Sequence, residues 1–562
     1  MKKYIIPVLT GAVALLAVSC ESKLDIPQKG VISIENFYQT DDDAEGAMVS
    51  AYDLFAQNIA RANGESIISP FIALFNLPGD DVYAAGEFYG DNDFNGMINE
   101  FRFDANAQLV TSMYKGFYQM VYGANLVIDH FKDNADSQVK KRVVAEARVM
   151  RAWAHMMLAI GWDCPPLIDH VLVGSDKPYN CDKDPDNPMS HNELLEWCAK
   201  ECLESVGDLR ERSSVNDKDG TCYITKGFAN FVAGKAYIFA GKYAEAKAPL
   251  KAIISSGKYA LVPGERIRET FHLTGENNEE VIFTSNVNPN GAVGDWNGKI
   301  QKSTWMHMDI WGWRMDHCAG QPSSVKGGWG GLGVRQDFAD ALVANDGYDS
   351  YRRKAWVRKF DPEILYEMAY GTDEGKTLEE KKKADDRGIK TYLYGQSEYL
   401  QYKRVTDNAD MDTWFSTLGV LVARYAEALL LYAEACAQTG DNDGLQYLNA
   451  IQNRAGSQHV SSSLTLAEVQ NEKRFEMFME GCRWADQVRW GQTESLANNG
   501  KQVPYLYDAY WSKGESEHRI YVEYSSKENE GKQVGFVKGK HEHFPFPGAA
   551  VMAINDNMVQ NP

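Results

Sequence analysis

Residues 421–456 read LVARYAEALLLYAEACAQTGDNDGLQYLNAIQNRAG, and after a short Ser-rich break residues 464–490 read LTLAEVQNEKRFEMFMEGCRWADQVRW. Apolar and small residues recur at three- and four-residue steps through Leu421, Tyr425, Ala428, Leu429, Tyr432 and Ala435, the period of a helix that buries one face. Thr439 to Gly444 breaks the pattern. A second helix is expected over about 445–454 with Gly456 as its C-terminal cap, and a third from Thr465. Thr465-x-x-Glu468 has the spacing of a capping box, which supplies acceptors to unpaired N–H groups of the first turn. Glu427 and Glu434 lie seven apart on an oily helix, and Glu472, Glu476 and Glu480 form an i, i+4 column near Arg474, Arg483 and Arg489. Acids and bases at this spacing read as a salt-bridged helical seam rather than as catalytic carboxylates.

The same device occurs upstream. Residues 223–261, YITKGFANFVAGKAYIFAGKYAEAKAPLKAIISSGKYAL, pair a helix ending near Ala240 with a second ending near Ser256, like a tetratricopeptide unit. Laying Gly241 over Gly440 aligns Ala246 with Leu445 and puts two helix pairs in one register. A pair cannot bury its own apolar face, so the expected fold is mainly α: a tetratricopeptide-like superhelix of α-helix pairs, with long loop-rich insertions and a few short strands. Further helices are expected after Thr40, from Leu109, through the segment before Pro165-Pro166, and from Glu193 to Leu209. Thr40 is an N-cap followed by Asp41, Asp42 and Asp43, where the helix dipole favours anions; calcium is the rival reading of the three acids.

Residues 263–417 differ in kind. Glu280-Val-Ile-Phe-Thr-Ser suits a short strand, and then Trp296, Trp305, Trp311, Trp313 and Trp329 fall within one Gly-rich stretch. Even spacing of the 13 tryptophans would put about one there, so composition alone does not explain the cluster. Arg314, with Asp309, Asp316 and Gln321, supplies polar partners. A second loop-rich region, 78–104, interleaves Tyr83, Phe88, Tyr89 and Phe94 with Gly, Asp and Asn. Rings beside amides and carboxylates suit a sugar, whose C–H face packs on the ring while its hydroxyls need donors and acceptors. The alternative for each ring is that it folds back onto the core.

The bulk numbers exclude some classes. Net charge is -20, with no basic patch, which disfavours nucleic acid. Lys2 and Lys3 precede an apolar run to Val18 and then Leu16-Ala-Val-Ser-Cys20, read as a lipoprotein leader with Cys20 the lipidated first residue. No other stretch reaches membrane-spanning length. Eight further cysteines include no CxxC pair, so mostly buried free thiols are expected, with Cys164 and Cys181 the pair worth testing. His541 and His543 alternate on an expected strand, too little for a metal site. No Gly-rich phosphate loop, HExxH or G-x-S-x-G appears.

The pieces Arg424-Tyr-Ala-Glu-Ala-Leu-Leu with Tyr432-Ala-Glu-Ala, Asn449 through Arg454-Ala-Gly, Glu472-Lys-Arg-Phe-Glu, Glu480-Gly-Cys-Arg-Trp-Ala-Asp and Arg489-Trp-Gly resemble the SusD/RagB family of Bacteroidetes outer-membrane nutrient-binding lipoproteins. Glu146-Ala-Arg with Arg151-Ala-Trp, and Phe544-Pro-Phe-Pro with the Asn-Pro end, add to the likeness. The resemblance implies a leader over 1–19 and one domain over 20–562, divided into helical parts 20–262 and 418–562 around the loop-rich insertion. It implies a non-catalytic surface lipoprotein of the outer membrane, which captures oligosaccharide and passes it to a SusC-like TonB-dependent transporter. No cofactor or metal is expected. It places the ligand site regionally, in the insertion and the N-terminal loops: Trp296, Trp305, Trp311, Trp313, Arg314, Trp329, Tyr83, Phe88, Tyr89 and Phe94. Oligopeptide uptake within the same family is one alternative. A glycoside hydrolase is another, since two carboxylates on separate loops leave no local signature.

Overall fold

The computed structural model describes residues 37–61, 70–85, 93–178, 188–286, 312–313, 325, 327–328, 330–359, 399–410, 417–500, 534–548 and 558–562, with the backbone of 389–394 and 506–511. Its helices and strands run α1 (Asp41–Arg61), α2 (Pro70–Asn76), β1 (Val82–Ala84), α3 (Asp93–Asn99), α4 (Gln108–Phe131), α5 (Gln138–Trp162), α6 (His191–Ser205), α7 (Lys226–Phe239), α8 (Tyr243–Ser255) and β2 (Val281–Ser285). They continue with β3 (Leu332–Val334), α9 (Gln336–Asp346), α10 (Tyr351–Trp356), β4 (Val357–Lys359), β5 (Ile389–Tyr394), β6 (Tyr399–Gln401) and β7 (Val420–Arg424). The chain then forms α11 (Tyr425–Thr439), α12 (Leu445–Ala455), α13 (Leu466–Glu476), α14 (Arg483–Trp490) and β8 (Leu506–Trp511).

Consecutive helices stack from α4 through α8, each burying on its neighbour a face it cannot cover alone. The next layer after α8 is α11, nearly 200 residues further on, so the two helix pairs matched by sequence lie side by side. Lys247 and Lys251 of α8 close that seam on Asp441 and Asp443. Gly241 and Gly440 both end their helices in the left-handed region, at φ 70° and 69°, a conformation that spares glycine the Cβ clash. The segment between α8 and α11 is therefore inserted, in sequence, between adjacent layers of one array.

Caps follow the sequence. The Thr40 hydroxyl accepts the Asp43 N–H (3.1 Å) while Asp43 accepts the Thr40 N–H (2.8 Å), so Asp43 serves helix initiation, whereas Asp41 accepts from the Ser137 hydroxyl. Ser190 and Glu193 make a complete capping box. Thr465 makes only half of one: it accepts the Glu468 N–H, but the Glu468 carboxylate turns to His459 and Ser461 instead.

Three expectations change. Residues 421–424 are the end of β7 rather than the start of a helix; β7 pairs antiparallel with β2, and the helix starts at Tyr425, whose N–H donates to Glu280 O. Local period loses here to backbone pairing with a remote strand. The 78–104 region holds β1 and α3 and is not loop throughout. Residues 399–401 form strand β6 on β4. His541 and His543 sit in a tight bend rather than a strand, with the His541 ring accepting the Val537 N–H. The described strands form two-stranded antiparallel pairs, β1–β3, β2–β7, β4–β6 and β5–β8.

The core runs through the array and is closed by the C-terminal segment. Phe544 and Phe546 are buried, Phe544 lying 4.6 Å from the Trp484 ring, and Trp162 Nε1 donates to Pro545 O. Asn561 Nδ2 donates to both Trp162 O and Phe544 O, which explains the Asn-Pro end. Of the six described cysteines, Cys164, Cys198, Cys202, Cys436 and Cys482 are buried free thiols and Cys222 is half-buried. Cys164 is thus unpaired, and Cys181 lies outside the described residues.

Candidate functional site

The looped-out segment has a closed root. β2 lies at its start and β7 at its end, and their pairing brings Val281 opposite Arg424 and Ser285 opposite Val420. Beneath this pair is a buried ion network. Arg424 donates to Glu280, Glu476 and Glu480; Arg454 donates to Glu280 and Glu476; Arg352 bridges Asp346, Glu472 and Glu476. Lys403 donates to Glu480 and to the Glu476 and Phe478 carbonyls, its ammonium 3.9 Å from the Trp356 ring. The acidic column is a set of struts, as its spacing suggested, but its partners come from α10, β7, α12 and the segment after β6. Arg474, Arg483 and Arg489 serve Asp81, Asp80 and Glu434 instead.

Burial sets the protonation of these groups. Glu476 is held at about 2: burial pushes it up, but Arg454, Arg424 and Arg352 outweigh that. Lys403 is brought down to about 7 by burial, with Glu480 opposing. The carboxylates of this network are paired in the interior, where a reacting carboxylate would need access to substrate.

Two further contacts carry the loops. β1 pairs with β3, Val82 opposite Val334 and Ala84 opposite Leu332, joining the 78–104 region to the far end of the tryptophan-bearing stretch. Just before β1, Asp80 accepts both Arg483 Nε (2.7 Å) and Nη2 (3.1 Å), together with Gln487 and Ser495, while Asp81 takes Arg474 Nε at 2.8 Å. The acids thereby clamp the loop base onto α13 and α14, some 400 residues away. Both are buried. Asp80 is held well below the carboxylate range because Arg483 outweighs burial. Asp81 is pushed up to about 6 by burial, with Asp80 adding to the rise, and its Oδ2 lacks a hydrogen-bond donor.

A carboxyl raised in the fold stabilises fully below its unfolded value and loses that contribution as pH rises through the folded one. Asp81 therefore favours the native state below about pH 4 and ceases to do so above about 6. Thermal unfolding of wild type and Asp81→Asn from pH 5 to 7.5 checks this. The wild type is expected to lose stability relative to the variant as pH rises; parallel curves contradict it.

The sequence-derived site residues fall in three groups. Cys20, Phe88, Tyr89, Trp296, Trp305, Trp311, Arg314 and Trp329 lie outside the described residues. Phe94, in the first turn of α3, is 41% exposed. Tyr83 and Trp313 are buried, at 3% and 5%. The Tyr83 ring lies across Gly333 of β3, where any Cβ would collide with it. Trp313 donates its indole N–H to Gln401 O (2.6 Å), packs on Tyr402, and bridges Gly327, whose neighbour Gly328 donates to Trp313 O. Arg268 stacks behind Tyr402 at 3.7 Å. These two rings tie loops to scaffold.

Beside the root, Thr270, Phe271, Glu276, Asn277, Thr284, Arg404 and Leu418 line a cavity of about 20 Å³. That is room for one water, far below a sugar ring. Among the described residues His272, Asp407 and Asp410 converge closely enough to suggest a metal. Their lone pairs are already taken: Arg268 chelates Asp407, backbone N–H groups of Leu273 and Asp407 fill Asp410, and His272 Nδ1 lies 2.6 Å from Asp410. The guanidinium at this spot opposes a cation. Sequence reading missed the Asp80–Asp81 clamp, since two adjacent acids give no sign of partners so distant.

Known proteins share this fold. Residues 280–562 match the model of the SusD family. A SusD-like protein of Bacteroides ovatus is 23% identical over 87% of this chain and 83% of its own length. SusD-like protein P38 of Formosa agariphila is 24% identical over 84% of this chain and 88% of its own. Among solved structures, a laminarin binding SusD-like protein superposes with TM-score 0.70 at 20% identity, covering 93% of this chain and all of the other. Surface glycan-binding protein A from Bacteroides thetaiotaomicron, in complex with laminarihexaose, gives 0.68 at 18% identity over 93% of this chain and all of its own. The family model spans half of the sequence, including the α11–α14 helices and the acidic struts: the chain belongs to the SusD family.

Proposed function

We propose that the protein is a cell-surface glycan-binding lipoprotein that captures oligosaccharide and delivers it to a SusC-like TonB-dependent outer-membrane transporter. The observation carrying this reading is that the five-tryptophan stretch of the sequence falls between two helix layers that pack side by side, with β2–β7 and Trp313 fixing the described residues around it. Trp296, Trp305, Trp311 and Trp329, with Arg314, Phe88, Tyr89 and Phe94, supply the ligand face; Tyr83 and Trp313 fix the loops that carry it. Lipidated Cys20 tethers the chain, and no described helix is long and apolar enough to cross a membrane. The helix array is the rigid dock for the transporter. No cofactor takes part.

Two relatives are named for laminarin and laminarihexaose, which makes these the first probes. A dissociation constant between micromolar and millimolar, about -8 to -4 kcal/mol, suits a lid that releases what it catches. The test is calorimetric titration of the mature protein with laminarihexaose, then plant, host and microbial glycans, with a protein digest alongside. Saturable heat with a glycan and no new reducing ends supports capture without hydrolysis. Heat with the digest alone points to peptide uptake, and release of reducing ends to a glycosidase; either overturns the proposal.

A further inference from the structure

We propose that Tyr348 and Tyr351, at the start of α10, form a second contact surface for the sugar rings of a long polysaccharide chain, in addition to the tryptophan-bearing loops. The proposal rests on the glycan-capture reading and extends it to a site outside the aromatic stretch that suggested it.

The two rings fall within one turn and are 38% and 43% exposed, where most described aromatics are buried. Each is held from behind. The buried Arg353 guanidinium lies 3.9 Å from the Tyr348 ring centre, and its Nε donates to the Tyr348 carbonyl (2.6 Å), so one group fixes both ring and backbone. Ser350 caps the helix between them by accepting the Arg353 N–H. The Tyr351 ring seats against Gly264 and Gly456, and a Cβ at either would press on its Cδ2 atom. Gly456 is also the left-handed cap of α12, so the fold needs glycine there twice over. The Tyr351 hydroxyl hydrogen-bonds to Glu265.

A ring with two torsions, already immobilised, loses little entropy when something stacks on it. Around the pair stand groups suited to hydroxyls: the Glu265 carboxylate, the Gln458 amide lying over Gly347, and Asp349, whose side chain is 87% exposed beside Lys354. Aromatic faces rimmed by carboxylate and amide match a pyranose, with its apolar C–H face and polar edge. A protein partner fits less well, since interface centres are depleted of charge and need about 1,000 Å² of matched surface. A weak second contact also has a physical use: on a polymer it acts at high effective concentration and raises retention without tightening the primary site.

The test is electrophoresis of the mature protein through gels containing laminarin, xylan or galactan, with titration of the matching hexasaccharide. Wild type, Tyr348→Ala/Tyr351→Ala and Tyr348→Phe/Tyr351→Phe are compared. The alanine pair is expected to lose about five- to ten-fold in retention by the polymer that retards wild type, while its hexasaccharide affinity stays within two-fold. The phenylalanine pair keeps the rings and is expected to keep most of the retention, which separates stacking from loss of fold. Equal retention of the alanine pair and wild type overturns the second surface and leaves primary capture standing. Wild type retarded by no polymer overturns both. Unchanged retention with a shifted sedimentation coefficient makes the face a contact between copies of the chain, which also overturns the proposal.

Discussion

Replacing Glu476 by alanine is expected to cost about 3–5 kcal/mol of folding stability, the range for removing one member of a buried ion pair. Glu476 is fully buried and accepts from Arg352, Arg424 and Arg454, each of them also buried. Without it, Arg454 Nη2 loses its carboxylate partner and Arg424 and Arg352 each lose one of theirs, in a medium that penalises buried charged donors left unsatisfied. The cost comes from orphaning the arginines, not from the intrinsic worth of the pairs, so Glu476→Gln is expected to be nearly as damaging although it preserves shape. Acid should act in the same way. The folded Glu476 carboxyl is held at about 2 against an ordinary value of 4.5, so its contribution is complete above about pH 4.5 and disappears as pH falls through about 2. Denaturant midpoints of wild type and variant at pH 7 and pH 3 measure both effects. A change below about 1 kcal/mol at pH 7 would mean that the network is not a structural strut.

Asp80→Ala is the second large effect, and it separates scaffold from loop. Asp80 receives Arg483, Gln487 and Ser495, and its loss leaves a largely buried guanidinium with only a distant contact to Asp81. About 3 kcal/mol is expected from the broken pair. More specifically, amide exchange should rise in β1 and β3, whose pairing starts two residues away, while α4 through α8 keep their protection. If the 78–104 loop contributes to the ligand face, glycan affinity falls at least ten-fold in the same variant. Affinity unchanged despite faster exchange in β1 would remove that loop from the site.

Legibility in the sequence followed the range of the interactions. Gly241 and Gly440 marked their helix ends because a left-handed cap is a local need, and the apolar run of 425–435 marked the helix, although residues 426–436 are buried on every side rather than on the one face its period suggested. Together they revealed the repeat, and the repeat revealed the array. The strand 420–424 was hidden because its partner, 281–285, is far away in sequence and its pattern merges into the helix that follows. Spacing identified the Glu472, Glu476 and Glu480 struts but assigned them the nearest arginines, whereas Arg352, Arg424 and Arg454 arrive through tertiary packing. Tyr83 and Trp313 show the same limit. An amphipathic ring suits either a sugar or a core, and only Gly333 and the Gln401 carbonyl decide which.

That division reshapes the experiment on the tryptophans. Trp313→Ala would remove an anchor along with any contact to ligand, so a loss of binding would report loop position as well as recognition. Trp305 and Trp311 are the cleaner pair. Whether a rigid helix array presents tryptophan-bearing loops to a glycan is decided by titrating the best-binding oligosaccharide into Trp305→Ala/Trp311→Ala, with Trp313 retained. A loss of about a hundred-fold in affinity, about 2.7 kcal/mol, is expected, with unfolding still cooperative at the wild-type midpoint. Wild-type affinity in that variant would contradict it.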